Sequence, residues 1–184
     1  ENVEELLKRE DLDISESLLD SMLNPPAFLV ACKEGFWEVY QVFANDKRAE
    51  LFFQQTDRWG QHALIYAAMG GNRNILEALR SVPTLDINQR SEGSRTYALF
   101  QCTSSTEFQN ICTIFPNIDV NVLQNGIAPI LFNLNHTDDP HQCLYYLLTH
   151  PRMDINIMYR NCSILYDIAN YMDKYSTEEV KQLL

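Results

Sequence analysis

Apolar residues along this chain fall into short blocks that come in pairs, with a glycine or polar break inside each pair and another between pairs. The clearest pair begins with His62-Ala63-Leu64-Ile65-Tyr66-Ala67-Ala68, which reads as a short apolar helix. Gly70-Gly71 ends it, because glycine supplies the left-handed conformation a helix C-terminus needs. Asn74-Ile75-Leu76-Glu77-Ala78-Leu79 then reads as a second helix. Asp57-Arg58-Trp59-Gly60 forms the turn before the pair, and Pro83 to Asn88 leads out of it. The small Ala67 and Ala68 allow neighbouring helices to approach closely.

Four further pairs follow the same grammar with erosion. The first has Pro26 to Cys32, the break Lys33-Glu34-Gly35, then Trp37 to Phe43. In the third, Gly93 lies in the turn, Tyr97 to Thr103 is the first helix, Thr106 stands where a glycine would, and Phe108 to Phe115 is the second. The fourth has Gly126, Ala128 to Phe132, a longer loop through Pro140, and Gln142 to Leu148. The fifth has Ser163 to Ala169 and a second helix opened by a capping box, Ser176 with Glu179.

The pairs are copies of one unit. Leu85-Asp86-Ile87-Asn88 returns as Ile118-Asp119-Val120-Asn121 and as Met153-Asp154-Ile155-Asn156, with 33 residues from Asn88 to Asn121 and 35 from Asn121 to Asn156. A unit of that length cannot bury its own apolar face and must stack on its neighbours. The Asp-x-Asn exit, the glycine-containing turn and the Ala-Ala-x-Gly-Gly helix end together resemble the ankyrin repeat. Tetratricopeptide and HEAT repeats lack that exit.

The resemblance implies an all-α, ankyrin-like repeat solenoid of helix-turn-helix units joined by β-turn or hairpin loops. It divides the chain into a half unit at 1–14, an irregular helix at 15–23, and repeats at about 24–56, 57–89, 90–122, 123–156 and 157–184. The family's Thr-Pro-Leu-His-x-Ala signature is incomplete in every copy: Leu29, Ile65, Phe100, Leu131 and Tyr166 occupy its histidine position. That histidine and threonine hydrogen-bond between turns in the family, so less regular stacking is expected here. A chain starting on Glu1 is expected to be a trimmed piece, and the leucines ending it at Leu184 suggest further chain beyond.

Composition narrows the function. The 184 residues carry 14 Lys and Arg against 25 Asp and Glu, a formal net charge of −11. That balance argues against nucleic acid and anionic membrane, and directs any electrostatic partner toward the basic. No apolar run approaches the roughly 20 residues of a membrane span. The five cysteines include no C-x-x-C pair, which fits reduced, mostly buried thiols in a cytoplasmic protein.

Candidate chemistry is sparse. His136 and His141 flank Asp138, Asp139 and Pro140, but proline forbids the continuous helix a metal-binding histidine pair would use. Cys143 follows His141 closely, yet its repeat position faces the packed layer. No Gly-rich phosphate loop is present. These readings predict no enzyme, no cofactor and no metal. The resemblance also implies one modification: an asparaginyl hydroxylase that acts on ankyrin repeats would accept Asn156 within Leu148 to Asn156. The plainer reading has Asn156 bonding the turn backbone.

The resemblance further implies that turn tips and first helices line a concave, partner-binding face. In this sequence those positions are Arg58, Trp59, Gln61, Met69, Gln89, Arg90, Glu92, Gln124, Asn125, Met158, Tyr159 and Arg160. Trp59 stands out, because an indole on a turn tip has no evident core to enter, and Trp, Tyr and Arg dominate interface hot spots. Tyr40, Tyr145 and Tyr146 are expected to pack between second helices. The function expected is a monomeric protein-protein interaction module gripping a partner protein. The Asn-, Ile- and Tyr-rich, Gly-poor repeats are similar to those of intracellular bacteria and protists. That similarity implies a narrower version, the targeting part of a secreted effector docking on a host protein in the host cytosol. The alternative from another class is an accessory, substrate-presenting domain of a larger enzyme.

Overall fold

A computed structural model describes Glu5, Lys8 and residues 25–129, 131–132, 139–159, 162–164, 166 and 168–169. The expected half unit at 1–14, the helix at 15–23, the capping box at Ser176 and Glu179, His136 and Arg160 lie outside the described residues, apart from Glu5 and Lys8.

The described chain is helical. Helices α1 (Ala27–Glu34) and α2 (Trp37–Ala44) form the first pair, followed by a short α3 (Ala49–Phe53). The second pair is α4 (Ala63–Gly70) and α5 (Arg73–Arg80). A 3₁₀ turn at Ala98–Phe100 precedes α6 (Ser105–Ile114), and α7 spans Pro140–Thr149. Strands β1 (Met158–Tyr159) and β2 (Cys162–Ser163) pair antiparallel, Met158 opposite Ser163.

The pairs lie side by side in two rows. First helices pack on first helices, α1 on α4 and α4 on the 3₁₀ turn, while α2, α5, α6 and α7 pack successively behind them. Helix α4 is enclosed from both sides: Ala63 through Ala68 are all buried. Helix α5 buries only Ile75, Leu76 and Leu79, the stripe that faces the first row. Gly70 is where the close approach occurs, since a Cβ there would sit 1.7 Å from the Lys33 carbonyl oxygen. The left-handed residue ending α4 is Gly71, at φ 60°, and Gly35 ends α1 likewise at φ 73°.

Two expectations need correction in the third unit. The stretch Tyr97 to Thr103 yields only the 3₁₀ turn, because Ser104 caps the next helix and stops the first one short. Thr106 lies inside α6 rather than in a break; Ser104 and Glu107 form a reciprocal capping box one turn earlier than expected. Helix α3 is an addition the repeat grammar did not contain. Its Phe52 is buried edge-on against Phe43, ring centroids 4.8 Å apart, and Phe28 also packs against it. Arg48 holds the preceding turn by donating from Nε and Nη2 to Asp46.

The recurring Asp-x-Asn phrase has one physical job, done twice over. Within each copy the Asp Oδ1 accepts the N–H of the Asn at 2.9 Å: Asp86 from Asn88, Asp119 from Asn121, Asp154 from Asn156. The Asn side chain then reaches the next unit. Asn88 Oδ1 accepts the Asp119 N–H at 2.7 Å, and Asn121 Oδ1 accepts the Asp154 N–H at 2.9 Å. Asn121 Nδ2 also donates to the Arg152 carbonyl at 2.7 Å. The phrase therefore organises its own turn and, at Asn88 and Asn121, bonds the following copy.

Candidate partner-binding site at the turn tips

Asp57 builds the first tip. Its Oδ1 accepts from the backbone N–H groups of Trp59 (2.9 Å) and Gln61 (2.8 Å), and its Oδ2 accepts from the Tyr66 hydroxyl at 3.0 Å. Burial and this carboxylate both push the Tyr66 phenol upward, so it remains a donor. The second tip closes on Ser91, whose N–H donates to the Thr96 carbonyl at 2.9 Å and whose Oγ accepts the Thr96 N–H at 3.0 Å. In the third tip Gln124 and Ile127 exchange backbone bonds of 2.9 Å around Asn125 (φ 53°) and Gly126 (φ 78°). Two positive φ values in a two-residue loop make the tight hairpin turn that asparagine and glycine favour.

Adjacent tips are locked together. The Trp59 carbonyl accepts the N–H groups of Gly93 (2.9 Å) and Ser94 (3.0 Å). Gln61 Nε2 donates to Ser94 Oγ at 3.3 Å. The contact requires Gly93: a Cβ there would lie 2.8 Å from the Trp59 carbonyl oxygen. Thr96 Oγ1 continues the line by donating to Gln124 Oε1 at 2.8 Å.

Beneath the first two tips, His62 is 2% exposed, with Nε2 3.2 Å from the Gln89 carbonyl. A carbonyl partner places the proton on Nε2, which leaves the buried Nδ1 without a hydrogen-bond partner. Burial lowers the His62 pKa, against smaller upward effects of the Gln89 carbonyl and Asp86. The His62–Gln89 bond ties the base of the first tip to the start of the second.

The predicted tip residues divide into two groups. Arg58, Trp59, Gln89, Arg90, Glu92, Asn125 and Met158 are exposed, Trp59 by 46% and Met158 by 60%. The Arg58 guanidinium lies over the Trp59 ring, 3.9 Å from its centroid. Gln61 and Gln124 are half-buried and serve the tip-to-tip bonds, and Met69 packs against the core rather than standing free. Tyr159 belongs to β1, and its side chain lies outside the described residues, as does Arg160. Asn156 is exposed.

Arg95 escaped the sequence reading. It is exposed and left-handed at φ 53°, and Arg90 Nε donates to its carbonyl at 3.1 Å. The outer row behaves unevenly too: Tyr40 is buried as expected, stacked 5.6 Å from Trp37, but Tyr145 is 45% exposed. An open apolar cavity of about 580 Å³ lies against Tyr40, Phe53, Ala78 and Val82, with Glu50 at its edge. It owes its far wall to α3, and no tip residue lines it.

Three of the described cysteines are withdrawn from solvent. Cys32, Cys102 and Cys143 are buried, and burial raises the pKa of Cys32 and Cys102. Among the described residues no group of His, Cys, Asp and Glu is placed to hold a metal ion, and no helix is long and apolar enough to cross a membrane. No protein-family model and no curated protein matches the chain.

Proposed function

We propose that the chain is a non-catalytic protein-binding module, an ankyrin-like solenoid that meets its partner with its turn tips. The observation that carries this reading is the pair of tips at 57–61 and 89–96. They are bonded to each other through the Trp59 carbonyl while the Trp59 indole and Arg58 guanidinium face outward. A large aromatic and an arginine presented on a pre-organised backbone supply the chemistry of an interface hot spot with little ordering cost on binding. The Asn relay supports the repeat reading, because the same side-chain oxygen ties each exit to the Asp N–H of the next, 31 and 33 residues along the chain.

The test is partner capture by wild type, Trp59→Ala and Met158→Ala, with helical content checked by circular dichroism. The reading expects partners to be lost from the Trp59 variant at unchanged helicity. Recovery of the same partners by both variants would overturn it.

A further inference from the structure

The two locked tips differ in charge from the rest of the chain. The chain as a whole carries −11. Yet Arg58, Arg90 and Arg95 are all exposed on these tips, and Glu92 is the one exposed carboxylate within 57–61 and 89–96. Of the two other described acids next to these tips in sequence, Asp57 is buried and Asp86 is exposed. Asp57 is 9% exposed and accepts three hydrogen bonds. Asp86, at the foot of the second tip, caps the Asn88 N–H.

Arg95 adds an independent observation. A left-handed backbone is unfavourable for a residue with a Cβ by roughly 1–2 kcal/mol, and the matching tip of the next unit uses asparagine there. No described hydrogen bond or ion pair uses the Arg95 side chain, only its backbone carbonyl. An arginine kept in a strained position without a packing role is available to something outside the chain.

We infer that the tips bind an acidic segment of the partner protein, with carboxylates on Arg58, Arg90 and Arg95 and an apolar or aromatic side chain against Trp59. Arginine suits this role because its planar fork pairs bidentately with carboxylate. The net negative charge of the chain as a whole disfavours an acidic partner away from these tips. This inference rests on the protein-binding reading and replaces the basic partner that net charge alone suggested.

The test is selection of a random twelve-residue peptide library on the full chain, followed by affinity measurement with Arg58→Gln/Arg95→Asn, Trp59→Ala and the remote control Arg73→Gln. Asparagine tolerates the left-handed conformation, so the double variant removes charge without straining the tip. The expected result is binders enriched in Asp and Glu. The double variant should weaken them about tenfold or more, the control should leave them unchanged, and rising salt should weaken them. Binders that are basic or uncharged but still need Trp59 would overturn the acidic-partner inference and leave the binding reading standing. No binders, or binders indifferent to Trp59, would overturn both.

Discussion

Replacing each recurring asparagine by alanine gives a graded series, because the same residue makes a different number of bonds to the next unit at each position. Asn121 makes two: it accepts from the Asp154 N–H and donates to the Arg152 carbonyl. Asn88 makes one, from the Asp119 N–H. For Asn156 the described bond is internal to its own turn and uses the backbone N–H, which alanine retains. None of the three has positive φ, so alanine adds no backbone strain. A net hydrogen bond is worth about 0.5–1.5 kcal/mol, toward the lower end where water can replace the partner. Asn121→Ala should therefore destabilise by about 1–2 kcal/mol, Asn88→Ala by about 0.5–1, and Asn156→Ala by less than about 0.5. For a chain of this size the first corresponds to a melting drop of roughly 2–8 °C. Thermal melts give the ranking, and hydrogen exchange at the Asp119 and Asp154 amides locates it, each speeding up only in the variant that removes its acceptor. Equal effects at all three positions, or the largest at Asn156, would refute the relay.

Three further outcomes follow from the packing. Folding lowers the His62 pKa below its unfolded value, so its contribution is intact above about pH 6.5 and stability declines as pH falls below that. His150 is shifted the same way, by burial and Arg152, so melts between pH 7.5 and 5.5 should flatten in His62→Gln without becoming level; an unchanged slope would contradict the role given to the buried Nδ1. Gly70→Ala, which would favour an isolated helix, should instead destabilise by about 3 kcal/mol because its Cβ meets the Lys33 carbonyl, as thermal unfolding would register. In a thiol-labelling assay at pH 8, Cys32, Cys102 and Cys112 should stay unreactive until denaturant is added. Burial pushes Cys112 up to about 12 and the other two above their ordinary range. Rapid labelling of the folded chain at any of the three would count against the packing.

Much of this was readable in the residues. The interval between Asp-x-Asn phrases, the glycine-ended α1 and α4 and the turn at Asp57 to Gly60 are local signals, and local structure followed them. The capping box at Ser104 and Glu107 was equally legible, by the rule applied at Ser176 and Glu179, and would have placed α6 correctly. Helix α3 was not legible: Ala49 to Phe53 is too short for periodicity, and its position is fixed by Phe52 entering a ring cluster formed with Phe28 and Phe43. The partner of each relay asparagine was also hidden, since recurrence tells that a residue matters to stacking but not which N–H it meets. At the tips, sequence marked Arg58 and Trp59 by type but passed over Arg95. Its significance depends on a φ of 53° and on Asp57 being buried, neither of which a string of letters displays.

The most direct test of the account is a hydrogen-exchange footprint of the full chain with and without a captured partner or selected peptide. Slowed exchange at amides within 58–61 and 90–95, with α2 and α5 unaffected, is the result the account predicts. Protection confined to α2, α3 and α5, around the apolar cavity at Tyr40 and Phe53, would contradict it.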